Sequence, residues 1–165
     1  MVNVRALHER DGLQVLAINR ESRPGVAALE EAELARLLSL PQAHLVATRG
    51  SEVVGYLLAF HRDAPYDGEE FLALRAILSV PYLYLDQVAV APGLRHTGVG
   101  RSLYEQIGSV ARAAGVGMLC CEVNRRPPNP GSRAFHGKLG FRPVGRLATR
   151  DGRDVELLAR TLCGE

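Results

Sequence analysis

The stretch from Tyr82 to Ile107, YLYLDQVAVAPGLRHTGVGRSLYEQI, constrains the fold more than any other part of the chain. A run of strand-forming residues is closed by Pro92, glycines follow at 93, 98 and 100, and apolar residues then recur at helical spacing. Leu103, Ile107, Val110 and Ala114 mark that helix, and Gly115 ends it. A glycine in a helix costs roughly 1 kcal/mol relative to alanine, so glycines at a helix start need an offset. One offset is a tight turn. The other is an anion, which small residues allow to approach the unpaired N–H groups and positive dipole end of the first turn.

The rest of the chain supplies a frame for this unit. VNVRAL reads as an opening strand, and Leu13, Leu16, Ala17 and Arg20 share a helical face. GVAALEEAELARLLSLP reads as a second helix stopped by Pro41. The period then changes: His44–Arg49 and Val53–His61 form a hairpin around RGSE. EEFLALRAILS is a short helix stopped by Pro81. In the next strand, alternation puts Asp86, Val88 and Val90 on one face and Leu85, Gln87 and Ala89 on the other. MLCCEV is a buried strand, NRRPPNPGS a rigid loop, SRAFHGKLG a helix capped by Ser132, and the chain closes as a hairpin about Asp151–Gly152. The two strand–helix junctions give a partly parallel sheet and the hairpins make it mixed. The expected class is α/β (α+β), one domain over residues 1–165, with six to seven strands and about four helices.

Composition narrows the function classes. Of 165 residues, 47% are apolar and 23% charged, as in an ordinary globular domain. The net charge is only +2, and basic residues, all arginine except Lys138, are spread along the chain, which gives no electrostatic case for nucleic acid. No apolar run is long enough to span a membrane, and the N-terminus lacks the pattern of a signal peptide. Cys120, Cys121 and Cys163 form neither a CxxC pair nor a Cys/His ladder, so the reading is reduced thiols, no metal, and a cytoplasmic setting.

The glycine loop fits neither common phosphate motif. In a Walker A loop Val99 would have to be lysine, and in a dinucleotide fingerprint Leu103 would have to be glycine. Arg95-x-x-Gly98-x-Gly100 after a strand, with AFHGKLGF about 40 residues later, instead resembles the GCN5-related N-acetyltransferase (GNAT) superfamily, including a bacterial branch with similar Pro-Pro-Asn-Pro loops. The resemblance covers Leu83 to Val144 well and the first 80 residues more loosely. It implies a sheet whose two central strands splay apart, and acetyl-CoA as cosubstrate. It implies that Arg95, His96, Thr97, Gly98, Val99, Gly100 and Arg101 hold the pyrophosphate, and that the strand Val88, Ala89, Val90 pairs with the pantetheine arm. Asn124, Asn129, Ser132 and Phe135 are further cofactor-side candidates. Helix capping competes for Asn129 and Ser132, and core packing for Phe135.

Acetyl transfer to an amine needs a base, a donor for the carbonyl oxygen and a proton for the thiolate. The backbone N–H of Val88 or a neighbour is the oxygen donor by resemblance. Asp86 and Glu122 are the candidate bases or amine anchors, with solvated or arginine-paired strand-end acids as the plainer alternative. The family usually has a tyrosine acid four residues before the glycine of L-G-F; here that residue is His136, which either donates the proton, recognises the acceptor or caps the helix. The acceptor, a small-molecule or peptide amine, would meet the loop HRDAPYDGEEF, where Asp63, Asp67, Glu69 and Glu70 offer charge and Tyr66 and Phe71 offer flanks. Homodimers are frequent in this superfamily. A catalytically weak acyl-CoA-binding regulatory module is the competing reading, favoured by the missing tyrosine.

Overall fold

The computed structural model describes residues 1–162, so Cys163 lies outside the described residues. Seven strands and five α-helices follow one another in the order β1 (Asn3–Ala6), α1 (Gly12–Ser22), α2 (Glu31–Ser39), β2 (Leu45–Arg49), β3 (Glu52–His61), α3 (Glu69–Ile77), β4 (Leu83–Val90), α4 (Val99–Ala113), β5 (Met118–Arg126), α5 (Pro130–Lys138), β6 (Arg142–Ala148) and β7 (Asp154–Thr161). Short 3-10 turns precede α1 and α4. The strands form one sheet in the order β1-β2-β3-β4-β5-β7-β6. Every neighbouring pair is antiparallel except β4–β5, which is parallel.

The parallel pair governs the architecture. Its register holds only for Leu83↔Leu119 and Tyr84↔Cys120. Beyond Tyr84 the two strands part, and residues 87–90 of β4 have a ladder partner on the β3 side alone. The expected splay is therefore present.

Each face of the sheet carries its own core. Leu16, Leu34, Leu37, Phe60, Phe71 and Tyr84 pack on the side of α1, α2 and α3. Leu57, Leu85, Leu103, Ile107, Leu119 and Phe141 pack on the side of α4 and α5. Gly55 of β3 lies under the start of α4, where an added Cβ would come within 3.1 Å of Val99 Cγ1 and the Ala89 carbonyl oxygen. A side chain there would push α4 off the sheet.

Several sequence expectations shift. The alternation of β4 is broken: Leu58 pairs with Gln87 and Ala59 with Leu85, so Asp86 is the extra residue of a β-bulge. Leu85 consequently joins Val88 and Val90 on the α4 face, while Ala89 joins Tyr84 on the other. The second helix begins at Glu31, not near Gly25; Leu29 is buried but lies in an irregular loop held by side chains. Helix α3 ends at Ile77, short of Pro81, and β5 runs on to Arg126, leaving a loop shorter than the prolines suggested. Leu13, expected on the buried face of α1, is exposed, because Val15, Leu16, Ile18 and Asn19 form that face.

Candidate active site

The parting of β4 and β5 opens a cleft of about 620 Å³ that runs through the sheet. Leu37, Tyr66, Glu70 and Asp86 line it from the α1–α3 side, and Tyr104, Cys121, Ser132 and His136 from the α4–α5 side.

The first side is acidic. Tyr66 Oη donates to Asp86 Oδ1 at 3.0 Å, and Tyr84 Oη donates to Glu122 Oε2 at 2.8 Å. Burial pushes the Asp86 carboxyl up to about 6, against the opposing effect of the Tyr66 hydroxyl. Burial, and then the neighbouring Asp86 charge, hold Glu122 well above the ordinary carboxylate range. Both carboxyls thus hold a proton more readily than free ones, which moves them toward the range where acid–base catalysis works. Farther out, Glu70 Oε1 accepts from Arg153 Nη2 at 2.8 Å, and Arg153 Nη1 donates to Asn124 Oδ1 at 3.2 Å.

The wall over this acidic side is the loop between α1 and α2, and one buried amide fixes it. Asn19 Nδ2 donates to the Ala27 carbonyl at 2.9 Å, while Asn19 Oδ1 accepts from Leu29 N–H and from Arg23 Nε, each at 3.0 Å. Gln87 Nε2 reaches the same Ala27 carbonyl at 3.1 Å, and Gln87 Oε1 accepts from Tyr56 Oη at 2.8 Å.

The second side is neutral and aromatic. His136 Nδ1 lies 2.7 Å from the Ser132 carbonyl, which can only accept, so Nδ1 carries the ring proton. Nε2 is thereby left as an acceptor, and Tyr104 Oη donates to it at 2.6 Å. Burial pulls the His136 imidazole below its usual range, so it is uncharged near neutral pH. Burial also holds the Tyr104 phenol well above its usual range, so it keeps its proton. Phe135 and Phe141 meet the Tyr104 ring edge-on, with centroids 5.3 and 5.9 Å away.

On the same face of the sheet stands the start of α4, where the Gly100 Cβ position lies 3.7 Å from Phe135 and 3.8 Å from Val90. Its cap, Gly98, has φ +94°, a conformation that glycine adopts without strain, and no atom lies within 4 Å of the Cβ position. The first helical bond is Ser102 N–H to the Gly98 carbonyl, and no side chain caps the end. The amides of Val99, Gly100 and Arg101 thus have no partner within the helix. This bare, roomy amide turn fits a diphosphate.

The sequence-predicted residues distribute as follows. Asp86, Val88, Glu122, Asn124, Asn129, Ser132 and His136 all line the cleft. Val90 and Phe135 lie beside Gly100, within 3.8 Å of its Cβ position. His96 is exposed at φ +63°, Thr97 bonds back to the Leu94 carbonyl, and Val99 is buried in the core. The Arg95 guanidinium turns away from the α4 amides toward the Val90 and Glu21 carbonyls and Ser22 Oγ. Arg101 pairs with Glu105 on the surface. Ala89 points its side chain into the opposite core. The cap of α5 is Asn129, whose Oδ1 accepts from Ser132 N–H at 3.2 Å; Ser132 is not the cap, because the helix begins earlier, at Pro130. In the acceptor loop Glu70 and Tyr66 reach the cleft. Asp67 pairs with Arg36, Asp63 with Arg62, Glu69 accepts from Arg150 N–H, and Phe71 is core. Sequence reasoning missed Tyr84, Tyr104 and Arg153. Only Tyr104 carried a signal, lying four residues after Gly100 and so on the same helical face. Cys120 and Cys121 face opposite cores, as alternation requires, and both are unpaired thiols. Among the described residues, no His, Cys, Asp or Glu group is placed to hold a metal ion, and no helix is long and apolar enough to cross a membrane.

Residues 13–141 match the acetyltransferase (GNAT) family. No curated protein matches the chain. Among solved structures, the ribosomal-protein-S18-alanine N-acetyltransferase of Escherichia coli is 18% identical, with TM-score 0.76, over 100% of this chain and 96% of that one. Ard1 of Thermoplasma volcanium is 19% identical, with TM-score 0.77, over 99% of each chain. Naa20 of Chaetomium thermophilum, in complex with a bisubstrate analogue, is 19% identical, with TM-score 0.75, over 97% of this chain and 86% of that one. At these identities the likeness is one of fold.

Proposed function

The chain belongs to the acetyltransferase (GNAT) family, and on that premise we propose that it transfers an acetyl group from acetyl-CoA directly to a primary amine of a small molecule or peptide. The observation that carries this reading is the cleft through the β4–β5 splay, lined by two carboxyls, with the bare amides of the α4 start on the other face of the sheet beside Phe135 and Val90. A linear thioester and an amine can enter from opposite faces and meet between the strands. Solved relatives with this fold include enzymes named for protein alanine acetylation and one crystallised with a bisubstrate analogue, which supports an amine acceptor.

Acetyl-CoA supplies the activated acyl group. The α4 amides of Val99, Gly100 and Arg101 bind its diphosphate, and the unpaired edge of β4 beyond Tyr84 offers backbone partners to its amide-bearing arm. A Val88 backbone N–H would face the thioester oxygen. Asp86, ionised above about pH 6, takes the proton from the amine. Glu122, whose carboxyl burial holds well above the ordinary range, orients the amine by hydrogen bonding. The free thiols Cys120 and Cys121 are compatible with a reducing, cytoplasmic setting.

One observation favours a second reading, a catalytically weak acyl-CoA-binding module: both nitrogens of His136 are engaged, so it has no free proton to give. Calorimetry with CoA, followed by thiol release from acetyl-CoA across a panel of primary amines, separates the two. Binding with turnover supports the transferase. Binding without turnover of any amine supports the module, and no binding overturns both.

A further inference from the structure

The cleft divides its titratable groups by face. The carboxyls Asp86, Glu122 and Glu70 lie with the α1–α3 core, and the phenol Tyr104, the imidazole His136 and the thiol Cys121 lie with the α4–α5 core. The bare amides at Val99–Arg101 stand on that second face, with Gly100 beside Phe135, which packs edge-on against Tyr104, so a thioester anchored there brings its sulfur into the cleft from this side. A proton for that sulfur has to come from the same side. His136 does not have one to spare: its single ring proton is held by the Ser132 carbonyl at 2.7 Å, and its other nitrogen is already an acceptor. Tyr104 differs. It is a lining residue of the cleft, and its hydroxyl is bonded to His136 alone, so rotation about the C–O bond frees the proton without moving the ring. The ring itself is clamped by Phe135, His136 and Phe141, each edge-on.

The geometry points to Tyr104, a residue of α4, as the catalytic proton donor to the departing thiolate, with His136 as the positioning residue that parks the hydroxyl until it is needed. This rests on the transferase reading above. As the C–S bond breaks with its electron pair on sulfur, the Tyr104 hydroxyl turns from His136 Nε2 and passes its proton to sulfur, leaving thiol and phenolate. The phenolate regains a proton from solvent, and solvent receives the proton that Asp86 took from the amine. Amine, thioester, amide and thiol then balance, and every side chain returns to its starting state.

The test uses the full chain with hydroxylamine, an amine already neutral near pH 7, and reads thiol release from acetyl-CoA. Tyr104→Phe is expected to bind CoA as the wild type does by calorimetry and to release thiol about 100-fold more slowly. The selenium analogue of acetyl-CoA keeps every binding contact but has a leaving group that needs no proton; with it the deficit is expected to close to within a few-fold. His136→Gln, whose amide oxygen still accepts from Tyr104, is expected to keep most of the activity, and His136→Phe to lose it. Equal thiol release by Tyr104→Phe and wild type overturns the assignment. So does an equal deficit with thioester and selenoester, which would mark Tyr104 as merely structural. A wild type that binds CoA but transfers to no amine is the distinct failure of the transferase reading itself, and the assignment falls with it.

Discussion

The two sides of the cleft are built from different chemistry although one sheet supports both. On the α1–α3 side, half-buried acids pair with tyrosines, Asp86 with Tyr66 and Glu122 with Tyr84. On the α4–α5 side the polar groups are neutral, and a phenol and an imidazole satisfy one another inside an aromatic box. A transfer reaction has two proton problems, one at the incoming atom and one at the outgoing atom. Placing a base and a donor on opposite faces keeps them from neutralising each other. A carboxylate beside Tyr104 would take its hydrogen bond, and an imidazolium beside Asp86 would hold that group ionised and weaken it as a base.

The largest expected effect falls on the acidic side. Asp86→Asn should lower kcat/KM by about 10²- to 10⁴-fold for an alkyl amine, with CoA affinity unchanged by calorimetry. Equal loss of CoA binding would break the division of labour. The same substitution should raise the thermal midpoint near neutral pH. Because the folded protein holds the Asp86 carboxyl at about 6, above its ordinary 3.8, any stability from that group is present below about pH 4 and lost as pH rises through 6. The gain in Asp86→Asn should therefore vanish near pH 4.

The pH profile is the next measure. The slope of log kcat/KM against pH should fall by about one at pH 6 in the wild type, and Asp86→Asn should lack that break. A break that survives in Asp86→Asn but moves in a His136 variant would transfer the base to the other face.

A smaller effect concerns the wall. Asn19→Ala should cost about 2–3 kcal/mol in chemical denaturation, because Leu29 N–H and the Ala27 carbonyl lose a buried partner. It should raise KM for the amine more than that for acetyl-CoA, since the loop borders only the acidic side. The smallest effect is expected for Arg101→Ala, whose exposed pair with Glu105 contributes about 0.5 kcal/mol or less. A part played by its charge in attracting the diphosphate would show as a modest, salt-sensitive loss of CoA affinity.

Much of this was legible in the sequence because local signals are strong where backbone geometry is unusual. Pro92 and the glycines at 93, 98 and 100 announced the turn and the bare helix start, and Asp151–Gly152 announced the last hairpin. Asp86, Glu122 and His136 could be named because the family resemblance marked their strands and helix, and all three line the cleft. What was not legible depends on tertiary contacts. The bulge at Asp86 arises from pairing with β3, so strict alternation put Leu85 and Val88 on opposite faces although they share one. The late start of α2 reflects Asn19 and Gln87 capturing the Ala27 carbonyl and Asn19 capturing Leu29 N–H, which diverts the chain from helix. Tyr104 follows Leu103 on an amphipathic helix and is buried there like a core residue. Only the arrival of His136 from α5, 32 positions later, gives its hydroxyl a meaning.

The seam between β4 and β5 has one more consequence. Among the described residues, Leu83 with Leu119 and Tyr84 with Cys120 are the whole ladder between a four-strand body and a three-strand body. The molecule is a clothes-peg sprung at one end. A guest that hydrogen-bonds to both jaws acts as a second rivet, so occupancy should slow amide hydrogen exchange along the far half of β4 more than anywhere in the outer strands.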